Sequence, residues 1–210
     1  MNKQLIHAVA DLNEDKALKL VKDMVNNGAT PLEIVEKCKR GVEIVGERYS
    51  NQEYFLSDLI MSEEILKEIM EIIEPYFPDK SNDDKNQVDI VMGTIEGDIH
   101  DLGKNIVIYL LRSVGINVLD LGVDVNPEDF VEKVNETKAK LLGISVLITY
   151  SIGAIKKVIK LLEESNLRDN VTIIIGGYPV NDIIKDYTGA DYYNTCADEA
   201  VDLIRKLLDK

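Results

Sequence analysis

The chain is 210 residues long, 45% hydrophobic and 30% charged, which suits a folded globular protein with room for one large domain or two small ones. A formal charge of −14 repels phosphate backbones and acidic bilayers, so neither nucleic acid nor membrane is expected as a partner. There is no apolar run near the roughly 18 residues of a membrane span, no signal-peptide pattern in Met1-Asn2-Lys3-Gln4-Leu5-Ile6-His7, and no paired-cysteine motif from Cys38 and Cys196; a cytoplasmic protein is the expectation.

Up to Pro75 the chain carries only helical periodicity. Leu5 and Val9, then Leu18, Val21 and Val25, read as a first helix that stops at Gly28, a residue suited to a left-handed helix end. Thr30-Pro31-Leu32-Glu33 offers a capping box with proline at the first helical position, and Val35, Cys38, Val42 and Val45 continue on one face. After Tyr54-Phe55-Leu56 a third stripe runs through Leu59, Ile60, Ile65, Leu66, Ile69, Ile72 and Ile73 until Pro75. Three or four antiparallel helices of this kind make a small bundle.

The polar run Asp79-Lys80-Ser81-Asn82-Asp83-Asp84-Lys85-Asn86 cannot bury a core and reads as a linker. Beyond it the pattern alternates. Strands are expected over 88–93, 117–121, 141–147, 172–175 and, more weakly, 191–193; helices over 101–114, 127–138, 152–165, 181–187 and 197–208. Five apolar strands separated by helices imply a parallel sheet covered on both faces. The organisation expected is α + α/β: a helical bundle over 1–78, a linker over 79–87, and a flavodoxin-like (Rossmann-type) five-stranded domain over 88–210. In such a sheet ligands bind at the carboxyl ends of the strands, near the switch in strand order.

The stretch from Gly93 to Lys104 falls on that edge and concentrates the unusual residues. It is not a phosphate loop: five residues separate Gly97 from Gly103-Lys104 where the Walker pattern has four, and Asn105 stands in place of Ser or Thr. The glycines do not form a dinucleotide fingerprint, and the third strand ends without the aspartate of a phospho-acceptor domain. His100 is a nitrogen donor with Asp98 two residues before it, able to accept from its other ring nitrogen and so to fix the tautomer. One histidine is a poor self-contained zinc or iron site, but it suits a metal that arrives chelated and needs one axial ligand. The loop alone leaves open a surface histidine among acidic neighbours.

Ser145 at the end of the third strand, followed by Leu147 and Thr149, and Gly176-Gly177 at the end of the fourth line the same edge with small residues and hydroxyls. Together, Asp98-x-His100-x-x-Gly103, Ser145-x-Leu147 and Gly176-Gly177 resemble the signature of cobalamin-binding domains that take the cofactor base-off with histidine on cobalt. The N-terminal region with Tyr54-Phe55-Leu56-Ser57-Asp58-Leu59 is similar to the helical cap of methionine synthase and of corrinoid methyl-carrier proteins. The resemblance covers nearly the whole chain in the same domain order. Ser57 stands where such caps often have proline, and Cys196 near where relatives often carry aspartate.

The resemblance implies His100 as the lower axial ligand of cobalt, with Asp98 and Ser145 as a hydrogen-bonded relay behind it. It implies Asp101, Gly103, Leu147, Thr149, Gly176 and Gly177 as contacts for the cofactor and its nucleotide tail, and Phe55, Leu56 and Leu59 over the methyl-bearing face. The implied cofactor is cobalamin or a related corrinoid, methylcobalamin when loaded. The implied role is that of a non-autonomous methyl carrier between a substrate-specific methyltransferase and a second methyltransferase acting on a pterin or a thiol, served by a reductive activation protein. Rival roles are a cobalamin sensor, a storage protein or an adenosylcobalamin mutase subunit. A sensor would need an output domain, and no basic helix-turn-helix precedes the bundle.

Overall fold

The computed structural model describes residues 2–77 and 88–208. The chain divides into two compact units, Met1–Phe77 and Pro78–Lys210. The linker expected over 79–87 lies outside the described residues.

The first unit is four helices: α1 (Asn2–Ala10), α2 (Glu14–Asn26), α3 (Pro31–Ser50) and α4 (Leu56–Ile73). The stripe read as one first helix is two. The chain reverses at Leu12, whose φ of +55° is left-handed, with Asn13 N–H bonded back to Ala8 O and Leu12 N–H to Val9 O. That is the hydrogen-bond pattern usually built on glycine; leucine in its place hid the break. Asn13 then caps α2 by accepting from the Lys16 N–H. Gly28 ends α2 at φ +81°, and the Thr30/Glu33 capping box is formed in both directions. Leu5, Val9, Val21, Ile34, Val45, Ile65, Ile69 and Ile73 are fully buried between the helices. α3 approaches α1 so closely that a Cβ on Gly41 would stand 2.7 Å from Val9 Cβ. Cys38 lies in this core, where burial pushes its thiol up to about 12 and removes it from thiolate chemistry.

The second unit is a parallel sheet of β1 (Ile90–Thr94), β2 (Val118–Asp120), β3 (Leu141–Ser145), β4 (Thr172–Gly176) and β5 (Tyr192–Asn194), ordered β2-β1-β3-β4-β5. This is the flavodoxin-like order, with its switch between β1 and β3. The crossovers carry α5 (Leu102–Ser113), α6 (Pro127–Thr137), α7 (Ile152–Glu164) and α8 (Asp182–Thr188), and α9 (Ala197–Leu207) follows β5. Side chains alternate between two cores. Val91, Leu142, Ile144, Ile173 and Ile175 pack with Phe130, Ile155 and Val158 of α6 and α7. Ile90, Met92, Leu141 and Ile174 pack on the other face with Ile108 and Leu111 of α5 and Val201 and Ile204 of α9.

Two close approaches set the packing tolerance. A Cβ on Gly93 would meet the Phe130 ring at 2.9 Å, and one on Gly177 would stand 1.8 Å from Val146 O. Gly93→Ala should therefore destabilise the α/β unit by about 1–3 kcal/mol through overpacking. Phe130→Leu in the same chain should recover part of that loss, read as the urea midpoint of the double variant against each single one.

Candidate functional site

The register places Thr94, Ser145, Gly176 and Asn194 side by side across β1, β3, β4 and β5. By the alternation, this row lies on the α5/α9 face, one step beyond the last large side chains Met92 and Ile174. At its carboxyl end the sheet thus changes from bulky apolar residues to small and polar ones, leaving room between strands and α5.

The loop from Ile95 to Asp101 crosses above this row. Asp98 is fully buried (0% exposed) and its carboxylate accepts four hydrogen bonds. Oδ2 takes the backbone N–H of Leu147 and, at 2.9 Å, that of Ile148; Oδ1 takes the His100 N–H at 3.0 Å and His100 Nδ1 at 2.7 Å. Burial works to raise this carboxyl, but the three N–H groups and the ring outweigh it and hold it below its ordinary value. An ionised carboxylate only accepts, so Nδ1 must carry a proton, which in the neutral ring leaves the lone pair on Nε2. Nε2 has no hydrogen-bond partner among the described residues, and the His100 side chain is 41% exposed. The imidazole is held from behind and free in front.

Two of these four bonds explain why β3 stops at Ser145 rather than 147. Val146 N–H still reaches Gly176 O, but the next two N–H groups turn to Asp98 instead of a neighbouring strand. Ser145 itself does not join them: its hydroxyl makes no hydrogen bond to Asp98, His100 or any other described residue. The relay expected through Ser145 is replaced here by the backbone of Leu147 and Ile148. Ser145 Oγ is left partnerless on the half-buried floor of the small-residue row.

The other expected residues divide. Asp101 is exposed and precedes α5, its carboxylate taking the Asn105 amide at 3.1 Å. Gly103, in the first turn of α5, would meet nothing within 4 Å if given a Cβ; no contact inside the protein requires glycine there. Leu147 and Thr149 are exposed. Gly177 is required by the Val146 carbonyl and its φ of +127°, so its absent side chain serves the backbone. Phe55 and Leu56 begin α4 at 72% and 63% exposure with Leu59 half-buried, a surface of the helical unit. Cys196, half-buried before α9, donates its N–H to Asn194 Oδ1 at 2.7 Å.

Sequence reading missed the supports of the loop. Buried Thr94 donates its hydroxyl to His100 O at 3.1 Å. The segment after β2 lies along the loop: Thr94 N–H bonds Gly122 O, Val125 N–H bonds Thr94 O, and Asp124 takes part on both sides of Gly97-Asp98. Lys104, nearly buried, grips both oxygens of Asp120 at 2.7 and 2.8 Å and Asn105 Oδ1 at 2.8 Å. It is the structural partner of β2 rather than a phosphate ligand. No spacing rule signals the contacts of Asp124 with Gly97 and of Lys104 with Asp120, whose partners lie 27 and 16 residues away.

A large, mostly apolar ligand with one metal fits this edge. The edge offers one free imidazole nitrogen, an unpartnered serine hydroxyl, open space outside Gly103, and exposed Ile99, Leu147, Ile148, Tyr150 and Tyr178 on the connections that follow β1, β3 and β4. Among the described residues no three His, Cys, Asp or Glu side chains converge as a metal cage. The residues present fit a corrinoid.

Comparison with known proteins agrees with that geometry. The B12 binding domain family matches residues 88–203, and a second B12 binding domain family matches residues 1–74. A corrinoid protein of Desulfitobacterium hafniense is 37% identical over 99% of this chain and 97% of its own. The structure of the monomethylamine corrinoid protein of Methanosarcina barkeri superposes with a TM-score of 0.84 at 32% identity, covering 98% of this chain and 97% of that one. The methanol:cobalamin methyltransferase complex of the same organism matches at a TM-score of 0.54 and 26% identity, over 98% of this chain and 78% of that one. With both B12 binding regions present and close relatives matched end to end, the chain belongs to the corrinoid methyl-carrier proteins of methyltransferase systems.

Proposed function

We propose that this protein carries a methyl group from a substrate-specific methyltransferase to a second methyltransferase acting on a pterin or a thiol, with His100 Nε2 as the lower axial ligand of its cobalamin. The observation that carries the reading is the imidazole held by Asp98 with its other nitrogen free at the carboxyl edge of the sheet. Relatives named for monomethylamine and for a methanol:cobalamin methyltransferase complex support methyltransferases as partners. A reductive activation protein completes the proposed system.

Bound cobalamin supplies a cobalt centre that can accept a methyl group and give it up again. The chain's own residues supply the rest. Asp98 fixes the ring tautomer, and a carboxylate on Nδ1–H raises the donor strength of Nε2. Because Oδ2 is tied to the end of β3, the imidazole is oriented by the sheet and not by the exposed loop alone. Ser145, Gly176 and the open side of Gly103 would receive the nucleotide tail, with Thr149, Leu147 and Asp101 at its margin; Gly177 supports the floor. Phe55, Leu56 and Leu59 would provide apolar cover for the methyl group.

Hydroxocobalamin added to the wild-type protein should bind and give the visible spectrum of a histidine-ligated corrinoid. His100→Ala should lose that spectrum and bind more weakly by at least the ~10–100-fold that removal of a supporting partner costs. No uptake by the wild type, or an unchanged spectrum in the variant, would contradict the proposal. Asp98→Asn should destabilise the corrinoid-free protein by about 2 kcal/mol near neutral pH, since the amide NH₂ would have to face either the Leu147 and Ile148 N–H groups or the donors of His100. The folded carboxyl lies below its ordinary value of 3.8. Its stabilisation is therefore full above that value and is lost as pH falls through the lower folded value. The gap between wild type and Asp98→Asn should narrow over that acid range in denaturation curves; a gap independent of pH would show that the charge contributes nothing.

A further inference from the structure

We propose that Asp124 is a positioning residue for the axial histidine, acting through Gly97 and Asp98, an assignment that rests on His100 being the cobalt ligand. Asp124 adopts φ +53°, the left-handed region that costs a non-glycine residue free energy and persists only where surroundings enforce it. Its surroundings here are the histidine loop. The Asp124 N–H donates to Asp98 O at 3.0 Å, while its Oδ1 accepts the Gly97 N–H at 2.7 Å. One residue thus holds both sides of the peptide pair that delivers Asp98 to His100.

The conformation and the contacts explain each other. With the backbone turned left-handed, the amide and the carboxylate of Asp124 both reach the Gly97-Asp98 segment. Gly97, at φ +80° with a Cβ position only 3.0 Å from Ser151 Oγ, supplies the matching turn on the other side. The neighbouring residues keep the strut in place: Ile95 bridges Val125 in parallel fashion, and Gly122 N–H is held by Asp120 Oδ1, itself clasped by Lys104. Asp98 is therefore gripped from two directions, through its side chain by the end of β3 and through its backbone by the segment after β2. The first grip fixes where the acceptor for Nδ1 sits; the second fixes the direction in which the chain leaves toward His100.

Three substitutions separate the parts of this strut. Asp124→Asn keeps an acceptor oxygen and a residue type that tolerates φ above zero; Asp124→Gly keeps the backbone and removes the carboxylate; Asp124→Ala removes the carboxylate and adds strain. Without corrinoid, Gly97 amide exchange should quicken roughly two- to tenfold in the Gly and Ala variants and stay near wild type in the Asn variant. With saturating hydroxocobalamin, the histidine-ligated fraction in the visible spectrum should fall in Gly and Ala and be retained in Asn. Gly93→Ala serves as the control, destabilised in the same unit but expected to keep the wild-type fraction. Unchanged exchange and ligation in Asp124→Gly and Asp124→Ala, or equal loss in all three variants and the control, would overturn the assignment. A wild-type holo-protein without histidine ligation would overturn the axial role of His100, while the exchange measurement would still decide whether Asp124 holds Gly97.

Discussion

One buried carboxylate organises the functional edge. Asp98 is removed from water and would be strongly disfavoured as an anion there without compensation. Four hydrogen bonds supply it, and each has a structural consequence. Two end β3 and turn the chain toward α7. One closes the backbone on itself at His100. The last fixes the imidazole, so the position of a proposed metal ligand is set by the same group that terminates a central strand. A ligand built this way inherits the rigidity of the sheet although it sits on a loop.

The surrounding architecture follows from strand order and side-chain alternation. The switch between β1 and β3 leaves the ends of those two strands side by side with helices departing to opposite faces. On the α5/α9 face the row Thr94, Ser145, Gly176 and Asn194 has no bulk to fill the gap. A cofactor tail entering there would displace water from small polar groups rather than disrupt a packed core. Lys104 at this edge is held by Asp120 and Asn105, and Asp124 and Asp101 are occupied with the Gly97 N–H and the Asn105 amide.

Much of this was legible in the sequence, for identifiable reasons. Apolar runs bounded by glycine and by polar helix starts located all five strands and five helices of the α/β unit, because parallel strands buried on both faces have few alternatives. The Asp98 to His100 contact was legible because two residues on one loop can meet without help from the fold. What could not be read were consequences of tertiary hydrogen bonding. The overestimated β3 and the support from Asp124 depend on which distant N–H a given carboxylate oxygen reaches, and the Thr94 support and the idle Ser145 hydroxyl on where the folded loop leaves each hydroxyl. The break between α1 and α2 was hidden for another reason: Leu12 adopts a backbone conformation that its side chain does not advertise. Gly177 carries a constraint its residue type did not reveal: the Val146 carbonyl leaves no room for a Cβ there.

The most direct test of the account is electron paramagnetic resonance of the cobalt(II) holo-protein after labelling histidine alone with ¹⁵N. Axial ligation by histidine predicts nitrogen splittings as doublets from the spin-½ ¹⁵N nucleus, lost in His100→Ala and retained when His7, the other histidine, is replaced. Triplets from an unlabelled nitrogen, showing that the cofactor's own base still occupies the lower face, or no nitrogen splitting at all, would contradict it.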